Sequence, residues 1–176
     1  MNKYELLKDD TIEVNGRVLH RIRALRNFAD VCAGDKGVYI ESEKNLSQEG
    51  NCWVSENGFV YGDALVHDDA QIFGDAHIFG NSRVYGNAWV SGFVGIAGNA
   101  HVFENALVCG NAVFSYDLRV SGFAMIYGNA RVYGDARVSG NAQVFGDAHV
   151  YENACVHGRA EVCGISRISG DQEISF

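Results

Sequence analysis

Arg83, His101, Arg119 and Arg137 recur at one fixed interval along the chain, and their side chains suit the capture of an anion. A guanidinium presents paired N–H donors that match phosphate or carboxylate oxygens, and an imidazole adds a donor whose charge follows pH. His101, His77 and His149 are the imidazoles placed to serve as a general base, should a hydroxyl or amine be brought beside them. Cys155, His157 and Glu173 make a loose trio without the strict spacing of a metal centre, so no metal is expected. A second column, Trp53, Trp89, Leu107 and Met125, is apolar where a solvated sheet would be polar, which marks a contact surface, either between copies of the chain or beneath residues 1–49. No Ser-His-Asp order, P-loop or dinucleotide fingerprint is present.

The element that must position these side chains is six residues long. From Gly50 to Ser175 the chain repeats Gly-Asn/Asp-Ala-x-Val-x without a slip, as in Gly128-Asn129-Ala130-Arg131-Val132-Tyr133. The fifth position is Val or Ile in every hexad except the one holding Phe114. Strand side chains alternate, so Ala and Val point in and the residue between them points out. Gly followed by Asn or Asp supplies a corner, because both tolerate the left-handed region. One strand of this kind cannot bury its own apolar face, so successive units must coil and stack. Folding the sequence at three hexads per turn gives three outward columns. Face one carries the Trp53 column, face two carries His77 and His149, and face three carries the arginines.

This pattern resembles the hexapeptide-repeat proteins. The resemblance implies an all-β fold, a left-handed parallel β-helix of about seven triangular coils, and a homotrimer with parallel axes. It also implies an activity for some members, acyl-CoA-dependent acetyl transfer with a His as base, for which His101, His77 or His149 would stand here and acetyl-CoA would be the cofactor. The stretch from Gly37 through Asn45-Leu46-Ser47-Gln48 to Val54 resembles the entry segment of uncharacterised bacterial and phage proteins of this kind.

Residues 1–49 lack the hexad and are expected to cap the β-helix of residues 50–176. Within them Thr11-Ile12-Glu13-Val14, Asn15-Gly16 and Arg17-Val18-Leu19-His20 read as a hairpin with a type I′ turn. Composition excludes several partners. A formal net charge of −8 argues against general binding of nucleic acid or acidic membrane. The apolar runs are too short for a membrane span and no basic segment precedes one, so a cytoplasmic location is expected. Five cysteines without a CxxC pair do not form a disulfide framework.

Mid-height irregularities, Phe93, Val94, Phe114, Leu118 and Phe123, read as a wider core layer, and the recurrent corner aromatics as stacking between coils. No inserted loop interrupts the hexads to build a catalytic pocket. The residues thus point to a non-catalytic β-helix without a cofactor. Its trimer interface would use Trp53, Trp89, Leu107 and Met125, and its strip of Arg83, His101, Arg119 and Arg137 would sequester an anionic small molecule such as a nucleotide or block an acidic protein surface, unless acids such as Asp117 and Asp135 at nearby corners neutralise it. The acetyltransferase is the alternative, and a purely structural assembly part is the third.

Overall fold

A computed structural model describes residues 2–176 and shows an all-β parallel solenoid. Face one is a 7-stranded sheet running from Trp53–Val54 to Glu161–Val162, and face three a 7-stranded sheet from Leu65–Val66 to Glu173–Ser175. Face two runs from Phe59–Val60 to Arg167–Ile168 and is extended by three N-terminal strands. Within the repeat, neighbouring strands pair in parallel and in register, which turns sequence columns into columns in space. The inward Ala and Val positions are almost all buried.

Corner chemistry explains the hexad's first position. Glycine occupies it in most units with positive φ, and Glu56, Asp68, Glu104, Tyr116 and Glu152 adopt the same conformation at φ between 57° and 71°. Non-glycine residues are strained there. Each of the five has a glycine one turn later, at Gly74, Gly86, Gly122, Gly134 and Gly170. Three of them use a carboxylate as compensation. Asp68 accepts the N–H of Gly86 at 3.1 Å, Glu104 that of Gly122 at 2.6 Å, and Glu152 that of Gly170 at 2.5 Å.

The second position builds amide ladders along the corners. Asn111 Nδ2 donates to Asn129 Oδ1 at 2.9 Å, and Asn129 Nδ2 donates to Asp147 at 3.0 Å. Corner aromatics stack flat on the next turn, with Tyr85 and Phe103 5.1 Å apart and Tyr127 and Phe145 4.9 Å apart. Their faces are thus committed to one another. Val94, Phe114 and Leu118 are buried and form the enlarged core layer, whereas Phe93 and Phe123 stand out at 67% and 62% exposure and take no part in it.

The N-terminal segment begins as an antiparallel hairpin, β1 (Tyr4–Val14) and β2 (Arg17–Ala24), turned at Asn15-Gly16 with positive φ at both residues. β2 pairs antiparallel with β3 (Lys36–Ile40), and β3 then stacks in parallel on Phe59–Val60. A short 3-10 helix, Glu43–Asn45, leads to Leu46, which bridges Val66. Parallel stacking therefore starts one partial turn before the first hexad, giving about eight turns. This early turn is two residues longer than the rest, since Ile40 lies over Val60 and Leu46 over Val66. Tyr4 ties the hairpin down by donating its hydroxyl to the Leu46 carbonyl at 2.6 Å.

Candidate functional site

Face three brings its four residues into one line. Arg83 lies across from His101, His101 from Arg119, and Arg119 from Arg137. The ladder spaces them about 4.8 Å apart, so the strip is roughly 14 Å long. The three arginines are exposed and His101 is partly buried. Among the described residues, none of the three guanidiniums has a carboxylate within 4.0 Å, since every ion pair uses other residues.

Acids stand nearby but are otherwise engaged or set apart. Asp117, Asp135, Asn153 and Asp171 line the corner beside Arg119, Arg137 and Cys155, and together they enclose a depression of about 480 Å³. Asp117 accepts from Asn99 as the end of an amide ladder. The result is a groove with cations on the strand side and carboxylates on the corner side. Neutralisation of the arginines by Asp117 and Asp135 does not take the form of direct ion pairs.

His101 is held below the ordinary imidazole range, first by burial and then by the positive charges of Arg83 and Arg119, with Asp117 opposing them. Tyr85 meets it edge-on at 6.0 Å. It has no carboxylate partner within reach among the described residues. The other two base candidates lie elsewhere. His77 packs against Phe59 at 4.7 Å and His149 meets Tyr133 edge-on at 6.4 Å, both on face two and separated by Gly95, Val113 and Arg131. The three histidines do not converge on one site. Of the loose trio, Cys155 sits across from Glu173, whose carboxylate meets His157 Nε2 at 2.6 Å. Among the described residues no group of three or more His, Cys, Asp or Glu side chains could hold a metal ion.

Face one requires a correction. Trp53 stands in the outward column, in register with Gln71, but is not open to a further copy of the chain; it is 4% exposed, covered edge-on by Phe28 at 5.4 Å and Tyr4 at 6.4 Å. The physical reason is that residues 2–49 fold down over the first hexad coil, whose open end would otherwise expose its core. Trp89 remains 47% exposed, and Leu107 and Met125 are partly buried.

Two further features escaped the sequence. The segment around Ala29–Val31 overhangs face one and, with Trp53, Phe73 and Trp89, encloses a hollow of about 370 Å³. On face two, Gly95 stands where other turns carry an outward side chain, and the gap is walled by His77, Phe79, Phe93 and Val113. A Cβ at Gly95 would meet nothing within 4 Å, so this glycine is not required by the backbone. The overhang could not be read because residues 25–35 have no period. The Gly95 notch had a signal in the sequence, a residue without a side chain in the outward column of face two.

Comparison with known proteins agrees with the fold. A family model described as the YdcK beta solenoid repeat matches residues 124–140 and 130–144. The chain is also similar to a protein of Escherichia coli (strain K12) named uncharacterized acetyltransferase YdcK, with 44% identity over 46 residues. That match covers 26% of this chain and 14% of the relative's length. No helix among the described residues is long and apolar enough to cross a membrane.

Proposed function

We propose that this hexapeptide-repeat-type β-helix is a binding protein whose strip of Arg83, His101, Arg119 and Arg137 holds a phosphate-bearing small molecule, such as a nucleotide. The observation that carries this reading is the set of three guanidiniums, stacked in register and without ion pairs, in a chain of net charge −8. Like charges at this spacing repel one another, and a bound anion removes that cost while accepting charge-assisted hydrogen bonds. A thermal-shift panel of inorganic phosphate, pyrophosphate, nucleotides and coenzyme A tests it. At a hundredfold excess over Kd, a ligand adds about 2.7 kcal/mol, which raises the Tm of a domain this size by about 5–10 °C. No shift with any compound, or the same shift in the Arg119→Ala/Arg137→Ala variant, would remove the strip from the account.

A second reading, acyl transfer, draws on the name of the YdcK relative and on the lowered pKa of His101, which favours the neutral imidazole. The two readings predict opposite pH trends. His101 gains its charge only as pH falls below the ordinary imidazole range, so anion affinity rises in acid. A base must be neutral, so transfer would rise with pH. Release of coenzyme A from acetyl-CoA that His101→Ala abolishes would put transfer first.

Face one, reduced to Trp89, Leu107 and Met125, supplies the proposed contact with further copies of the chain, most simply as a trimer. Sedimentation is expected to show an oligomer that Trp89→Glu/Leu107→Glu dissociates. A wild-type monomer would refute that contact.

A further inference from the structure

Lys3 is fully buried, an unusual position for an amine. Its Nζ lies 2.9 Å from the Cys52 carbonyl, 3.3 Å from that of Glu49, and 3.1 Å from Cys52 Sγ, and it stands 5.3 Å over the Phe28 ring. Its own backbone N–H is held by Gln48 Oε1 at 2.8 Å, so the residue is fixed at both ends. Among the described residues no carboxylate comes within 4.0 Å of this amine. Burial acts most strongly against its charge, and Arg26 adds to that, while Cys52 and the more distant Asp69 oppose them. The thiol is equally enclosed, and burial pushes it above its ordinary value against the pull of Lys3. An amine that burial helps to lose its proton becomes a nucleophile, and a thiol is the oxidisable side chain. Here they touch, with nothing between them.

We propose that Lys3 and Cys52 are a site of oxidative cross-linking, in which peroxide joins Nζ to Sγ and fastens the N-terminal hairpin to the first hexad coil. In the first step the sulfur attacks one peroxide oxygen. An S–O bond forms, the O–O bond breaks, and the departing hydroxide takes the thiol proton as water, leaving a sulfenic acid. In the second step the Nζ lone pair attacks that sulfur. The N–S bond forms, the S–O bond breaks, and hydroxide leaves with an amine proton as a second water. Sulfur has lost two electrons and peroxide has gained them. A second equivalent of peroxide places an oxygen in the bridge, Nζ–O–Sγ, and releases a third water. Sulfenic acids condense with nitrogen in this way when a nitrogen is held against them.

Position gives the bridge its effect. Lys3 directly precedes β1 and Cys52 directly precedes the strand Trp53–Val54, so the link closes a loop spanning 49 residues. Cross-links that close long loops stabilise by restricting the unfolded chain. The other four cysteines, Cys32, Cys109, Cys155 and Cys163, are all less buried than Cys52 and serve as internal controls for oxidant exposure.

Treatment of the purified protein with hydrogen peroxide, followed by peptide mass mapping with tandem sequencing, tests the proposal. The expected product is a joined peptide containing Lys3 and Cys52, lighter than the sum of its parts by two hydrogens for the direct N–S bond, or heavier by one oxygen less two hydrogens for the oxygen bridge. Dithiothreitol should reverse it. The oxidised protein should melt at higher temperature than the reduced one, and both Cys52→Ser and Lys3→Met should abolish that rise. Lys3→Met keeps the apolar stem and the thiol, so it remains informative if Cys52→Ser fails to fold. Cys52 recovered as a free thiol or as sulfinic acid, with Lys3 still cleaved by trypsin while Cys32 and Cys163 are oxidised, would overturn the assignment.

Discussion

Val132→Asp is expected to abolish cooperative folding of the central turns. Val132 is fully buried and lies in register between Phe114 on one side and Val150 on the other, in the inward stack of face two. Removing the valine forfeits about 1.5–3 kcal/mol of apolar burial. Enclosing an unpartnered carboxyl costs several kcal/mol more, since no donor lines the stack. The sum is above about 4 kcal/mol, comparable to the whole stability of many domains. Arg131→Asp, one residue away and exposed, should change stability by less than about 0.5 kcal/mol. Thermal melts followed by circular dichroism decide it. Equal melting of the two variants would refute the inward assignment of the fifth hexad position.

Gly98→Ala should be the second most damaging change for its size. Gly98 has φ +70, and a Cβ there would sit 2.5 Å from the Tyr116 nitrogen and 2.9 Å from its Cα. Those are backbone atoms of the next turn, which cannot swing aside. Tyr116 is itself in the left-handed region, and nowhere in the repeat do two non-glycine residues follow one another at this corner position. Strain and close approach together are expected to cost about 2–3 kcal/mol, or a fall in Tm of about 5–10 °C. Gly95→Ala is the matched control, because a Cβ there meets nothing within 4 Å. If the two alanines melt alike, corner geometry is not what selects glycine in this repeat.

Much of this architecture was legible because one residue pattern serves every turn. The inward Ala and Val, the corner glycines and the stacked aromatics all follow from the period, and so does the alignment of Arg83, His101, Arg119 and Arg137. The turn formed by β3 and Leu46 was not legible, because its two extra residues shift Ile40 and Leu46 out of phase with the hexads. The burial of Trp53 could not be decided for a related reason. Its outward direction is a property of the repeat, but Phe28, which covers it, comes from a segment with no period from which to place it. The Lys3 and Cys52 contact is likewise a product of the cap's path. At the arginine strip, the period located the cations, while the commitment of Asp117 to Asn99 rather than to an arginine depended on corner geometry.

Calorimetric titration tests the central claim most directly. The phosphate compound with the largest thermal shift would be added to wild-type protein and to Arg119→Ala/Arg137→Ala under the same buffer and salt. Charge-assisted hydrogen bonds contribute about 1.5–3 kcal/mol each, so loss of both arginines should weaken binding by about a hundredfold or more. Saturable heat in the wild type, reduced by at least that factor in a variant that melts no lower than the wild type, is the predicted result. Equal affinity in the two proteins would show that the ligand sits elsewhere on the solenoid and contradict the assignment of face three.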